Sequence, residues 1–327
     1  MKPDPAAGRV NATTSGHDTA AAPVRPSEPT AYLRRRPRSA ALRRIWYEIR
    51  LSWAFIGGDA TSMLVPPMLF TAAAWRSLER PWPDLVRSQC FALVFFWCAL
   101  YVFCLANQAT GMKEDQQNKP GRPLVAGQIP VSAAWRRWWW TLGLYLIAGT
   151  AFGVALWAAV WLVTTVLYNQ GGWARRWYGK NLCIAVATFA QLAAAWRIAG
   201  PLTARGWWLI AVITMLFNLV MSVQDLRDLA GDREIGRRTL PMVIGQWPTR
   251  IFAAVGLCAL PMAAHVLLFD RSAAPPGLVA YEAVLAAVAW LAAVRVVVYR
   301  TPASDHRTYL LYTIWYCVLL VGCVLTL

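Results

Sequence analysis

Long apolar runs recur along this chain, and most are close to the length that crosses a membrane as an α-helix. About 20 consecutive apolar residues span the hydrocarbon core of a bilayer. Such runs predict about nine membrane-spanning helices, at residues 52–74, 88–108, 134–152, 154–169, 181–199, 207–225, 250–269, 278–298 and 308–327. The third and fourth belong to one apolar tract, which we divide at residues 149–153. The pattern therefore predicts an all-α, polytopic membrane bundle.

The distribution of charge gives this bundle an orientation. The chain has 327 residues, is 58% hydrophobic and carries a net charge of +16. A strongly basic chain can bind nucleic acid, but the basic residues here cluster in alternate loops, at 34–44, 113–137, 175–180, 227–250 and 300–307. Basic loops stay on the cytoplasmic side of a membrane. We therefore expect no nucleic-acid partner, a surrounding of membrane lipid in a bacterial inner membrane, and a cytoplasmic N-terminus.

The first 41 residues differ in composition from the rest. They are rich in Ala, Pro, Ser, Thr and Gly, which predicts a disordered, basic N-terminal tail at 1–41 and a membrane domain at 42–327. No signal-peptide pattern precedes the first apolar run, so we expect that run to stay in the membrane. The seven cysteines and three histidines have no metal-ligand spacing, which argues against a zinc or haem site.

Two acidic stretches, at 107–123 and 225–241, each follow an apolar run. Only 16 residues of the chain are acidic, and carboxylates beside membrane-length apolar segments are costly and usually functional. If each stretch continues the helix before it, spacings of i, i+4, i+8 and of i, i+3, i+7 place each set of side chains on one helical face. The two sets are Asn107, Gly111 and Asp115, and Asp225, Asp228 and Asp232.

Carboxylate and amide oxygens in this pattern suit Mg²⁺, which is commonly shared with a substrate phosphate. The predicted metal ligands are Asn107, Glu114, Asp115, Asp225, Asp228 and Asp232. Two or more such ions would make a diphosphate a better leaving group. Nearby basic side chains would hold its remaining charge; the candidates are Lys119, Arg122, Arg233 and Arg238, with Arg237 beside the last. Solvated loop charges and a transporter site are the alternatives that these residues leave open.

At these residues the chain resembles the UbiA superfamily of intramembrane prenyltransferases. The stretch from Asp225 to Pro241 matches the family's DxxDxxxD motif, and the loop from Asn118 to Leu124 is similar to the family's loop after its first motif. The resemblance implies a helical bundle around a central cavity over residues 42–327. It further implies that a Tyr and a Lys approach the diphosphate, which we assign to Tyr168 and Lys180.

Gly111 is a departure from that family, whose usual first motif has a carboxylate at this position. With the second motif intact, the pattern resembles the UbiA-type terpene cyclases of fungi and actinobacteria. The resemblance implies a Mg²⁺-dependent, class I-type membrane terpene cyclase that ionises a linear prenyl diphosphate of C15–C25, with geranylgeranyl diphosphate as the leading candidate. Its catalytic residues would be Asn107, Asp115, Asp225, Asp228 and Asp232. The alternative is a prenyltransferase that uses an aromatic or polyol acceptor; no obligate protein partner is inferred.

Two further features bear on the cavity. Asp59 lies within the first apolar run after two glycines, where a charge is expensive unless it faces the protein interior, so we expect it near the site. Aromatic residues make up 13% of the chain, and aromatic faces stabilise a carbocation. Some of them are therefore expected to line the cavity, although tryptophans such as Trp139 and Trp140 are also typical of the membrane interface.

Overall fold

The computed structural model describes residues 40–269 and 277–326. Over these residues the chain is helical, with no β-strand and one isolated bridge between Arg176 and Arg238. The tail predicted at 1–41 lies outside the described residues except for its last two, which begin the first helix. The disorder of the tail therefore stays a prediction, and the all-α class is confirmed.

Fifteen α-helices follow one another in the described part of the chain. They are α1 (Ala40–Ile56), α2 (Ala60–Met63), α3 (Val65–Ser77), α4 (Trp82–Thr110), α5 (Met112–Asn118), α6 (Val131–Ala151), α7 (Ala155–Asn169), α8 (Trp177–Ala199), α9 (Ala204–Leu219), α10 (Val223–Arg227), α11 (Leu229–Glu234), α12 (Leu240–Val243), α13 (Gln246–Leu268), α14 (Leu278–Val298) and α15 (Pro302–Thr326).

Six segments of the described chain are long and apolar enough to cross a membrane: α4, α8, the run from α9 to α10, α13, α14 and α15. The helix α7 is apolar but shorter. In the most apolar 18-residue segment of α13, only 28% is buried within the protein, and the same share holds for α14. Such low burial suits helices whose outer faces contact lipid. The membrane bundle is thus confirmed, and the number of nine spans stays a prediction.

The first predicted span, 52–74, is wrong as a continuous helix. Helix α1 ends at Ile56 and is followed by one 3₁₀ turn over Gly57–Asp59. The short helix α2 comes next, and α3 then begins at Val65. Prolines occupy the first turn of α3, where a missing N–H removes no helical hydrogen bond and the fixed φ favours a helix start. The break places Asp59 at a bend rather than within a span.

Both acidic stretches are also interrupted, so the expectation that each continues the preceding helix is wrong. The first breaks at Gly111, between α4 and α5, and the second at Asp228, between α10 and α11. A Cβ atom at position 111 would lie 2.8 Å from the backbone oxygen of Asn107, so the bend is built for glycine. At the second break Asn118 supplies partners from outside, since it binds both the Asp228 carbonyl and the Gly231 N–H.

Close helix packing surrounds the region that these breaks enclose. Gly206 of α9 lies against the ring of Trp196 of α8, and a Cβ there would come within 2.7 Å of that ring. Further along α9, Tyr312 of α15 donates its hydroxyl hydrogen to the Phe217 carbonyl, and the rings of Tyr312 and Phe217 stack 5.3 Å apart. These contacts join α9 to α8 at one end and to α15 at the other.

Candidate active site

A cavity lies between the helices, charged at one end and apolar at the other; with the solvent at its opening included, its empty space is about 950 Å³. The charged end, called the mouth below, is lined by Asn107, Glu114, Lys119, Arg122, Asp228 and Arg237. The interior is lined by apolar and aromatic side chains that include Met63, Phe103, Trp161, Ile184 and Phe217.

Arg122 joins the functional side chains of the first acidic stretch. One guanidinium nitrogen donates to both Asp115 oxygens, at 2.8 and 2.9 Å, and to the Asn107 side-chain oxygen at 3.1 Å. The other lies 3.7 Å from Asp59. Burial raises the pKa of Asp115, and Arg122 offsets only part of that rise. Asn107 and Asp115 are thus brought together as the spacing predicts, but by a side chain predicted to bind diphosphate.

The second stretch begins with a buried ion pair between Asp225 and Lys180. The Lys180 nitrogen lies 2.5 Å from one Asp225 oxygen, and the two side chains are 4% and 0% exposed. The other oxygen of Asp225 is buried with no hydrogen-bond partner, which is unusual because a buried carboxylate oxygen is normally satisfied. Tyr168 lines the same cavity as Lys180. The structure therefore brings both residues carried over from the family to the site.

Asp228 at the mouth faces two basic side chains. Lys119 lies 3.7 Å from its carboxylate and Arg227 lies 3.4 Å away. Burial opposes ionisation of this carboxyl, but Lys119 and Arg227 outweigh burial and hold its pKa below the ordinary value. The Arg227 guanidinium also lies 4.2 Å above the Tyr309 ring, a favourable cation–π geometry. Asp228 is therefore a carboxylate that stays ionised near neutral pH.

The two acidic stretches meet directly at the mouth. Arg237 lies 2.9 Å from Glu114 in the first stretch and 3.3 Å from Asp232 in the second, and Thr239 donates to Asp232 at 3.1 Å. Burial raises the pKa of Glu114, with partial compensation by Arg237. The Asn118 amide adds hydrogen bonds of 3.1 Å to the Asp228 carbonyl and from the Gly231 N–H. The stretches thus form one assembly.

Two predicted diphosphate-binding residues lie elsewhere. Arg233 and Arg238 are exposed, and neither lines the cavity. The backbone of Arg238 instead pairs with that of residues 175 and 177, which anchors the loop to the start of α8. Arg237 and Arg227 line the cavity in their place. The sequence indicates Arg237 as one of the basic residues of the second stretch but does not single out Arg227, and it favours Arg233 and Arg238 over Arg237. The break at Asp228 explains the difference, because it changes the direction of every later side chain relative to a continuous helix.

The oxygen donors at the mouth are of the type that Mg²⁺ prefers. In the part of the chain that the structure describes, however, no three His, Cys, Asp or Glu side chains converge closely enough to hold a metal ion. Most of these carboxylates are paired with a basic side chain instead. One oxygen of Asp225 is buried without a hydrogen-bond partner. The chemistry of the donors fits Mg²⁺, while their present positions do not form a closed metal site among the described residues.

Comparisons with known proteins identify the family of this chain. The model of the UbiA prenyltransferase family matches residues 64–317. The somaliensene A/B synthase of Streptomyces somaliensis is 39% identical over 89% of this chain and 97% of its own length. The diterpene cyclase eriG of Hericium erinaceus is 32% identical over 85% and 89%, and the polyprenyl transferase eriF of the same fungus is 32% identical over 84% and 94%.

Solved structures share the fold at low sequence identity. A digeranylgeranylglyceryl phosphate synthase aligns over 86% of this chain and 98% of its own with a TM-score of 0.60 and 14% identity. A UbiA homolog from Archaeoglobus fulgidus, bound to DMAPP and Mg²⁺, aligns over 84% and 99% with a TM-score of 0.57 and 13% identity. The family model covers most of the chain, and the relatives match nearly all of its membrane domain. The chain therefore belongs to the UbiA prenyltransferase family.

Proposed function

We propose that this protein is a Mg²⁺-dependent membrane terpene cyclase that takes a linear prenyl diphosphate of C15–C25. The observation that carries the proposal is the polarity of the cavity. Two acidic stretches and their basic partners lie at one end, and an apolar, aromatic-lined interior lies behind them. An amphipathic substrate with an anionic head and a hydrocarbon tail matches that division. The basic residues around the mouth further support our proposal that it faces the cytoplasm.

The basic side chains at the mouth would bind the diphosphate head. Lys119, Arg122, Lys180, Arg227 and Arg237 each contact at least one carboxylate now and would exchange that contact for phosphate oxygens. Arginine suits this role because its planar fork matches phosphate geometry.

Asn107, Glu114, Asp115, Asp225, Asp228 and Asp232 would hold Mg²⁺. Bound Mg²⁺ supplies charge neutralisation that makes diphosphate a better leaving group.

The reaction begins when the allylic C–O bond breaks and the diphosphate leaves with both bonding electrons. The resulting allylic cation lies in the interior, where Phe103 and Phe217 line the wall. Their aromatic faces stabilise positive charge, and exclusion of water prevents early capture. A distal double bond of the same chain then donates its electron pair and closes a ring. Loss of a proton gives a hydrocarbon; addition of water with loss of a proton gives an alcohol.

The second candidate is an intermolecular prenyltransferase. It is carried by the relative eriF, a polyprenyl transferase that is as similar to this chain as the diterpene cyclase eriG. Gly111 favours the cyclase, since the chain lacks the carboxylate of the family's usual first motif there. Transport, the remaining alternative from the sequence, loses its basis because the relatives named above are enzymes.

The test is an incubation of purified protein with Mg²⁺ and farnesyl, geranylgeranyl or geranylfarnesyl diphosphate, without an acceptor. We expect a cyclic terpene by mass spectrometry and free diphosphate, both abolished by a chelator and restored by Mg²⁺. Asp115→Ala and Asp228→Ala are expected to remain folded and release no diphosphate. Product only after an aromatic or polyol acceptor is added would replace the cyclase with the transferase. Release of no diphosphate under any condition would refute both.

A further inference from the structure

A second, smaller void lies behind the floor of the main cavity. It is a narrow gap with room for about one water molecule, and it is lined mainly by Phe95, Phe96, Tyr145 and Trp157. Two side chains, Trp161 of α7 and Gln191 of α8, line both spaces. The void is thus separated from the main cavity by these two residues rather than by a layer of helices.

Three helices independently place this void at the far end from the diphosphate site. On each of three helices, the positions that line the void lie 7–14 residues from a residue at the charged end of the cavity: 95, 96 and 99 from 107 on α4, 157 and 161 from 168 on α7, and 190, 191 and 194 from 180 on α8. At 1.5 Å per residue, these separations correspond to about 10–21 Å along a helix. A substrate whose head is held at the mouth therefore points its tail at Trp161 and Gln191.

The two residues of this floor are held in different ways. Gln191 donates a hydrogen bond of 2.6 Å to the Met63 carbonyl, which ties α8 to the end of α2. Trp161 is 4% exposed, and its indole N–H has no hydrogen-bond partner. Its position is consequently fixed by packing alone. Removal of the indole would therefore break no hydrogen bond, and it would join the void to the main cavity.

We propose that Trp161 sets the maximum length of the prenyl tail, and that removal of its indole, together with the aromatic-lined void behind it, would make room for a longer chain. The proposal rests on the proposed function, because it assumes that a prenyl diphosphate enters head-outward. A floor of this kind selects by size, since an added carbon group that meets a wall must either distort the chain or leave the head out of place. Trp161 is a specificity-determining residue rather than a catalytic one.

The experiment compares Trp161→Ala with the unmodified protein on farnesyl, geranylgeranyl and geranylfarnesyl diphosphate, and measures kcat/KM from diphosphate release. We expect kcat/KM for a longer substrate, divided by kcat/KM for the next shorter one, to rise at least about tenfold. This is the lower end of the effect of one methylene group in a hydrophobic pocket. In the double variant Trp161→Ala/Ala194→Phe, a ring from α8 would refill the void and return the ratio towards its original value. Ala194 lines the void but not the main cavity.

The matched control is Trp315→Ala. Trp315 is also a buried tryptophan whose indole N–H has no partner, but it lines neither space, so the ratio should not change. An unchanged ratio in active Trp161→Ala, or an equal shift in the control, overturns the proposal while the proposed function stands. If Trp161→Ala has no turnover, dissociation constants are measured instead for unreactive thiolodiphosphate analogues of the longer and the shorter substrate. Their ratio is then compared between the variant, the control and the unmodified protein. No diphosphate release by the unmodified protein would instead refute the proposed function.

Discussion

The buried pair of Lys180 and Asp225 allows stability and catalysis to be separated. Their side chains are almost fully buried and lie 2.5 Å apart. Loss of one member leaves the other charged and unpaired, which costs about 3–5 kcal/mol in folded-state stability. Replacement of both by apolar residues of similar size is often neutral or stabilising. We therefore expect Lys180→Met and Asp225→Leu each to lower the unfolding temperature in detergent, and the double variant to recover it.

Turnover should behave differently, because both residues are proposed to contact the substrate head or its metal. The double variant is expected to release no diphosphate although it is stable. The control is the pair Arg250 and Asp305, which is equally buried, bidentate at 2.7 Å, and outside the cavity lining. Its double variant, Arg250→Met/Asp305→Leu, should recover both stability and turnover. Normal turnover in the Lys180→Met/Asp225→Leu protein would refute the assignment of this pair to the site.

Substitutions at three further positions, 111, 237 and 118, test the geometry of the mouth by diphosphate release and thermal unfolding. Gly111→Ala should reduce turnover, because its Cβ would lie 2.8 Å from the Asn107 backbone oxygen; unchanged cyclisation would mean that the bend is not required. Gly111→Asp should reduce it at least as much, without a clean switch to prenyl transfer. Arg237→Met should reduce turnover strongly and exposed Arg233→Met should not, and equal effects would contradict the placement. Asn118→Ala should lower both stability and turnover because it removes two hydrogen bonds, worth about 0.5–1.5 kcal/mol each, and no change would argue against the connection.

The residue types at the site, and the meeting of the two acidic stretches there, could be predicted from the sequence. The pairing of the two acidic stretches in one place follows from their position after apolar runs, and Asp59 is indeed beside Arg122. The distant partner of Asp225 could be assigned to the site only through the resemblance. No local pattern indicates that Lys180, 45 positions earlier, is its counter-ion.

The breaks in the helices could not be predicted from hydrophobic periodicity. A break exposes backbone groups that need partners, and those partners come from elsewhere in the fold. At Asp228 they come from Asn118, on a segment 110 positions earlier. At 52–74 the hydrophobic residues continue on both sides of Asp59, although the helix ends before Gly57. The direction of the side chains after each break depends on these tertiary contacts. For the same reason the sequence could not show that Arg237, and not Arg233, lines the cavity.

The Asn118 amide limits which residues can be substituted in the two acidic stretches. It belongs to the loop of the first motif, but it binds the backbone of the second at Asp228 and Gly231. The side chain also fills the space above Gly231, where a Cβ would come within 2.3 Å of it. Positions 118 and 231 are therefore matched in size, and a larger residue at 231 would displace the Asn118 amide from the backbone that it binds. A change at either position has to be accompanied by a compensating change at the other.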